Sequence, residues 1–172
     1  MARILRCDSE VESMGLEAAP TLFLDRDGII NVDRGYVFEW DNFEWVEGIE
    51  KLIEEAKSAG YRVIVVTNQS GIGRGYYSED DFLHLTDKML NKISVDAVVY
   101  CPHSPEESCP GRKPGTLMLD LVAEVFPVEK ERSWLIGDKD SDMEAASRFG
   151  IASAQFHGGD VYKFVIENIA LS

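Results

Sequence analysis

Basic residues are scarce in this chain, with 17 Lys and Arg against 31 Asp and Glu and a formal net charge of −14. A nucleic-acid-binding protein needs a cationic face to neutralise phosphates, so this balance argues against a nucleic-acid partner and equally against an anionic membrane surface. Long apolar runs are missing too. No stretch of about 18 apolar residues exists, and Met1 to Asp8 lacks the apolar core of a signal peptide, so no membrane association and a cytoplasmic location are expected. The only cysteines are Cys7, Cys101 and Cys109. An odd set cannot be fully paired, and a cytosolic setting favours thiols or metal ligands over disulfides. Internal repeats, linkers and low-complexity segments are absent. So are a G-x-x-x-x-G-K-[ST] loop and a G-x-S-x-G elbow, which removes the anchors for nucleotide triphosphatase and serine hydrolase readings. The run Gly71-x-Gly73-x-Gly75 breaks the dinucleotide fingerprint at Tyr76.

What is present is an ordinary globular balance, 45% hydrophobic and 28% charged over 172 residues, enough for one domain with a sizeable core. Residues 1–20 are irregular and acidic and read as a weakly packing leader that ends at Pro20. Residues 21–172 read as a single domain in which short apolar runs alternate with amphipathic stretches, the pattern of a mainly parallel sheet wrapped by crossover helices. Strands are predicted at 21–24, 61–66, 97–100, 133–136 and 152–156. Helices are predicted over 46–59 with Gly60 as C-terminal cap, after Ser78 through Phe82, Leu85 and Met89, over 116–125, over 142–149, and from Val161 to the end.

In such a sheet, ligands bind beyond the carboxyl ends of the strands, so the residues after each apolar run form a shortlist. The first run leads to Asp25, Arg26, Asp27 and Gly28, the second to Thr67, Asn68 and Gln69. The third leads into Arg112, Lys113 and Pro114, and the fourth gives Gly137, Asp138, Lys139, Asp140, Ser141 and Asp142. Asp25, the backbone carbonyl of Asp27, and Asp138 suit Mg²⁺, a hard cation that takes oxygen ligands and keeps several waters; Lys139 and Asp142 are placed as supporting residues. A carboxylate beside that cation is a credible nucleophile at phosphorus, which assigns Asp25, and Asp27 can protonate the leaving alcohol and later activate water. Thr67, the neighbouring amides and Lys113 supply donors for charge developing on the phosphoryl oxygens. The local cation also answers the repulsion that an acidic chain would exert on a phosphorylated substrate.

Taken together, these segments resemble the four motifs of the haloacid dehalogenase (HAD) superfamily, over residues 21 to about 157. More narrowly, Phe23 to Gly28, the loop Asn31 to Val37, Thr67-Asn68-Gln69-Ser70-Gly71 and Cys101-Pro102-His103 resemble the D-glycero-D-manno-heptose 1,7-bisphosphate phosphatase family, a close relative of histidinol phosphatases. The resemblance implies a three-layer α/β/α Rossmann-like domain without a large cap. It also implies an aspartyl-phosphate mechanism on Asp25, Mg²⁺ on Asp25, Asp27 and Asp138, Arg112 with Lys113 at the phosphate, and release of the 7-phosphate.

Without a cap, the loop after the first motif is expected to shape the pocket. Asn31 and Asp33 offer hydrogen bonds to sugar hydroxyls, Gly35 allows close approach beside Tyr36, and Arg34 or Arg112 can meet a second phosphate. Asn68, Gln69 and Ser70 are placed with the substrate as well. A capless domain can keep such a site open as a monomer, which is the expected state. Finally, Cys101-x-His103 and Cys109 resemble that family's small zinc loop, of order Cys-x-His, Cys-x-Cys, except that Gly111 stands in the fourth place. A closed structural zinc site takes four ligands, so a water ligand, loss of the metal, or a thiolate from Cys7 are the alternatives, and nothing in the sequence brings Cys7 near Gly111.

Overall fold

The computed structural model describes residues 1–171. In chain order the regular elements are β1 (Arg3–Arg6), β2 (Thr21–Leu24), α1 (Ile49–Ser58), β3 (Arg62–Asn68), the single turn α2 (Ser70–Gly73), α3 (Glu79–Leu90), β4 (Ala97–Cys101), α4 (Leu117–Val125), β5 (Trp134–Gly137), α5 (Asp140–Phe149), β6 (Ala152–Gln155) and α6 (Val161–Asn168). The six strands form one sheet in the order β1-β4-β3-β2-β5-β6, with every adjacent pair parallel. Among the described residues no helix is long and apolar enough to cross a membrane.

Strand alternation divides the core into two layers. Leu22, Leu24, Val63, Val65 and Val98 face a cluster with Leu52 and Ile53 of α1, Phe82 and Met89 of α3, and Val161 and Val165 of α6. Phe23, Ile64, Val66, Val99 and Leu135 face the opposite cluster, built with Met118 and Val122 of α4 and Ala145 and Phe149 of α5. Because helices cover both faces, all four residues of β2 are buried, which is why its sequence is an unbroken apolar run after Thr21. The expected helix signals also appear: the Ser78 hydroxyl accepts from Asp81 N at 3.1 Å, and Gly60 follows α1 at φ 85°.

Helix α1 starts at Ile49 rather than at residue 46 and β3 runs on to Asn68; three further features depart from the sequence expectations. Residues 3–6, expected in an irregular leader, pair with β4 from Arg3–Ala97 to Arg6–Tyr100 and close one edge of the sheet. Leu5 and Cys7 are buried there, while arginines at both ends of this short strand are half-exposed, a pattern suited to an edge. Helix α5 starts at Asp140, two residues early, because the Asp142 carboxylate turns back to accept from Lys139 N at 3.1 Å. Helix α6 stops at Asn168 rather than running to the chain end, and Ser172 lies outside the described residues.

The topology fixes where a ligand can sit. From β2 the chain crosses outward through β3 to β4, then returns to the other side of β2 as β5. The strand order therefore reverses between β2 and β5, and the crevice beyond their carboxyl ends is the switch point of the sheet. Asp25 N donates to Ile136 O at 3.0 Å there, bringing the first and fourth polar runs side by side.

Candidate active site

Asp25 follows the last residue of β2 and is almost wholly buried, as is Lys113, whose Nζ lies 3.2 Å from Asp25 Oδ1. The ammonium also meets Asp142 Oδ1 at 2.5 Å and donates to Val66 O at 2.8 Å, so all its donor capacity is used. Burial alone would lower the Lys113 pKa, but Asp25 and Asp142 outweigh it and hold the lysine charged. Burial, reinforced by the Asp142, Asp27 and Asp138 charges, pushes Asp25 up to about 7 against the pull of Lys113. A carboxylate in that position is short of positive charge.

Its neighbours indicate what would supply it. Carboxylate oxygens of Asp25, Asp138 and Asp142 all lie within 4.8 Å of one another. Both Asp142 oxygens are engaged, Oδ1 by Lys113 and Oδ2 by Lys139 N. Asp138 Oδ1, by contrast, is buried without a partner among the described residues, and burial raises the Asp138 pKa. Two under-compensated carboxylates, one of them with an orphaned oxygen, fit a hard divalent cation, with Asp142 as the orienting group. Gly28 makes the approach feasible. At φ 93° a Cβ there would lie 2.4 Å from Asp138 Oδ2.

The Asp27 side chain points elsewhere. Its Oδ1 accepts from Arg26 Nη2 at 2.8 Å and Asn31 Nδ2 at 3.1 Å, and its Oδ2 accepts from Gln69 Nε2 at 3.1 Å. Burial would raise its pKa, but the Arg26 guanidinium and these donors outweigh it and hold Asp27 below the usual carboxylate range. Gln69 also donates to Thr67 Oγ1 at 2.8 Å and is itself oriented by the Tyr77 hydroxyl at 2.6 Å. Arg26 is in turn fixed by Val37 O at 2.6 Å.

A cleft of about 230 Å³ opens over these groups. Asp25 and Asp27 line it from the end of β2, and Asp33, Gly35 and Tyr36 from the following loop. Asn68, Gln69 and Ser70 come from the end of β3, Arg112 and Lys113 from the loop before α4, and Lys139 and Asp142 from the end of β5. Asn68 locks the lysine loop with reciprocal bonds to Lys113 N (2.9 Å) and Lys113 O (3.1 Å). Asp33 takes Lys139 Nζ at 3.3 Å, which ties the loop to β5. Arg112 Nη1 is buried without a partner among the described residues.

Of the expected residues, Asp138 lines a neighbouring hollow with Gly28 and Asp33, and three others sit away from the cleft. Asn31 is fully buried and spends its amide on Asp27 and on Val32 O, so it positions Asp27 instead of meeting a sugar. Thr67, also fully buried, serves Gln69. Arg34 is exposed and paired with Glu44, which leaves Arg112 as the free guanidinium of the two. Sequence reading missed Arg26 and Tyr77 as working residues. Arg26 was signalled by lying between the two aspartates, whereas Tyr77 follows no strand end and carried no local signal.

A second cluster lies beyond β4. Cys101, His103 and Cys109 converge as expected, but Cys7 joins them, and all four ligand atoms lie within 4.8 Å of one another. No spacing in the chain places Cys7 there; the β1–β4 pairing does.

Residues 111–161 match the HAD-hydrolase-like family model, in keeping with a doubly wound sheet whose first inner strand delivers a buried carboxylate, and the class is that of the HAD-like phosphatases. Within that class the chain belongs to the heptose bisphosphate phosphatase family. It is 45% identical over 130 residues to D-glycero-beta-D-manno-heptose-1,7-bisphosphate 7-phosphatase of Helicobacter pylori (strain J99), covering 72% of this chain and 75% of that protein. It is 45% identical over 144 residues to D-glycero-alpha-D-manno-heptose-1,7-bisphosphate 7-phosphatase of Burkholderia mallei, covering 77% of this chain and 76% of that one. Among solved structures, D,D-heptose 1,7-bisphosphate phosphatase from B. bronchiseptica, complexed with magnesium and phosphate, is similar at a TM-score of 0.75 and 30% identity, covering 86% of this chain and 87% of that one.

Proposed function

We propose that this chain is a Mg²⁺-dependent phosphatase that removes the 7-phosphate of D-glycero-D-manno-heptose 1,7-bisphosphate through an aspartyl-phosphate on Asp25. The observation that carries the reading is the placement of Asp25 at the switch point, 3.2 Å from Lys113 and grouped with Asp138 and Asp142. The names of the relatives support the substrate.

Asp25, the backbone carbonyl of Asp27, and Asp138 would hold the ion, with Asp142 and Lys139 orienting them. When bound, Mg²⁺ supplies the positive charge that the carboxylates and an incoming phosphate both lack. Asp25 attacks phosphorus, the P–O bond to the sugar breaks, and Asp27 hands its proton to the departing oxygen. Asp27 then takes a proton from water, whose oxygen attacks the phosphoryl group and releases Asp25. In the free protein Asp27 is held ionised, which suits the second half-reaction; a phosphate dianion entering beside it opposes Arg26 and raises its proton affinity for the first. Lys113 stays charged throughout, and its field, acting beside Asp25, offsets the negative charge that develops on the phosphoryl group. Arg112, with its unpartnered buried nitrogen, is placed to take the second phosphate.

All these residues come from one chain, so a monomer suffices. The reading is tested by a phosphate-release screen over sugar mono- and bisphosphates with histidinol phosphate included. Heptose 1,7-bisphosphate should be the fastest substrate and should yield the 1-phosphate; faster turnover of histidinol phosphate would overturn the assignment.

A further inference from the structure

The loop Cys101 to Gly111 is one ligand short of a closed metal site in sequence, yet its space is filled. Cys7 Sγ lies 3.8 Å from Cys109 Sγ and 3.7 Å from His103 Nδ1, and Cys101 Sγ lies 3.5 Å from the same nitrogen. Tetrahedral zinc with Zn–S of about 2.3 Å and Zn–N of about 2.0 to 2.1 Å requires S···S edges of about 3.8 Å and S···N edges of about 3.6 Å. Three edges of the cluster therefore have the lengths such an ion imposes.

Surrounding groups point the same way. With Nδ1 facing the thiols, the other His103 nitrogen faces Asp8 Oδ2 at 3.9 Å, on the side where a carboxylate can fix the ring's tautomer. Gly111 N donates to Cys109 Sγ at 3.3 Å, a hydrogen bond suited to a thiolate. Cys7 and Cys101 are fully buried, and His103 and Cys109 are half-buried.

The space beside Gly111 is taken by Cys7. A Cβ at this position would lie 2.5 Å from Cys7 Cβ and 2.7 Å from Cys7 Sγ. The Cys7 side chain thus occupies the volume that a side chain at 111 would need, and the two positions cannot both be filled without a shift.

We infer that Cys7 is the fourth ligand of a closed Cys₃His zinc site, in which a thiolate from the end of β1 replaces one from the loop. With no open coordination position the ion is structural. It joins the edge strand β1 to the segment that continues directly into Arg112 and Lys113, so the N-terminal residues become part of the support of the phosphate-facing loop. The inference is independent of the substrate assignment.

The test is metal content. Protein expressed with zinc and purified without a histidine tag should carry about one zinc per chain by mass spectrometry, and its Co²⁺ form should show thiolate charge-transfer and tetrahedral absorption bands. Cys7→Ser should lower zinc retention on dialysis against a weak chelator at least tenfold. Combining Gly111→Cys with Cys7→Gly should restore both retention and spectrum, since removing the Cys7 Cβ vacates the space that a side chain at 111 needs; this rescue also distinguishes ligation from a folding defect. The inference fails if the wild-type protein holds no zinc, if Cys7→Ser keeps the wild-type retention and Co²⁺ spectrum, or if Cys7 and Cys109 prove to be disulfide-bonded in the reduced, zinc-supplemented preparation.

Discussion

Lys113 and Asp25 form an ion pair at 3.2 Å with almost no access to water, and the lysine is the only side-chain cation within ion-pairing distance of that carboxylate among the described residues. The pair joins stability to chemistry, because the same ammonium also neutralises Asp142. Lys113→Ala should therefore leave two buried carboxylates without their cation. We predict a loss of about 3 to 5 kcal/mol in urea unfolding without Mg²⁺, as for breaking a buried pair on one side, and a fall in kcat of about 100-fold or more.

Asp27 is held by three donors, two of them reaching it from different segments. Removing one by Asn31→Ala should cost about 1 to 3 kcal/mol of positioning, a drop in kcat of about 10- to 100-fold. KM should barely change, because Asn31 is buried behind Asp27 and does not line the cleft. Steady-state kinetics on the bisphosphate separate the two parameters, and a change confined to KM would instead make Asn31 a substrate contact.

Arg112 is expected to act through binding. Arg112→Ala should raise KM for the bisphosphate about tenfold or more while leaving kcat within a few-fold, and should affect a sugar monophosphate much less. Comparing the two substrates on the wild type and variant checks this.

Gly28→Ala tests the approach of Asp138. The new methyl would fall 2.4 Å from Asp138 Oδ2 on a backbone at φ 93°, so Asp138 must withdraw. The Mg²⁺ concentration for half-maximal activity should rise about tenfold or more, the equivalent of about 1.4 kcal/mol.

Burial pushes the Tyr77 phenol up to about 12 from its ordinary value. The sign follows from proton counting: between about pH 10 and 12 the native state keeps a proton that the unfolded chain has lost, so this group's contribution to stability falls as pH rises through that window. Tyr77→Phe should flatten the decline of stability over the window, measured by urea unfolding across alkaline pH. The variant also frees Gln69 Oε1, so a smaller loss of kcat should accompany it.

Much of this site could be read directly from the chain because Asp25 and Asp138 each follow an apolar run. Asp25 and Asp138 end adjacent strands, and burial of those strands on both faces makes the runs conspicuous. β1 was invisible for the opposite reason: four residues reading Arg-Ile-Leu-Arg on an edge bury only Leu5 and look like any charged leader. Cys7 inherits that ambiguity. Its meeting with His103 spans 96 residues and depends wholly on the register of β1 against β4. Asn31 and Arg34 had the right chemistry for a sugar, but which way each points is decided by partners on other turns, Asp27 and Glu44, that no spacing rule supplies.

The central claim is that Asp25 becomes phosphorylated. Protein mixed with heptose 1,7-bisphosphate and Mg²⁺, quenched in acid within the first turnovers and digested, should show a phosphoryl group on the peptide carrying Asp25. Asp27→Asn, impaired in both half-reactions, should acquire the label more slowly and lose it more slowly on a chase without substrate, and Asp25→Asn should show neither label nor turnover. Phosphate release by Asp25→Asn at a rate near that of the wild type, or turnover with label on another residue, would contradict the account.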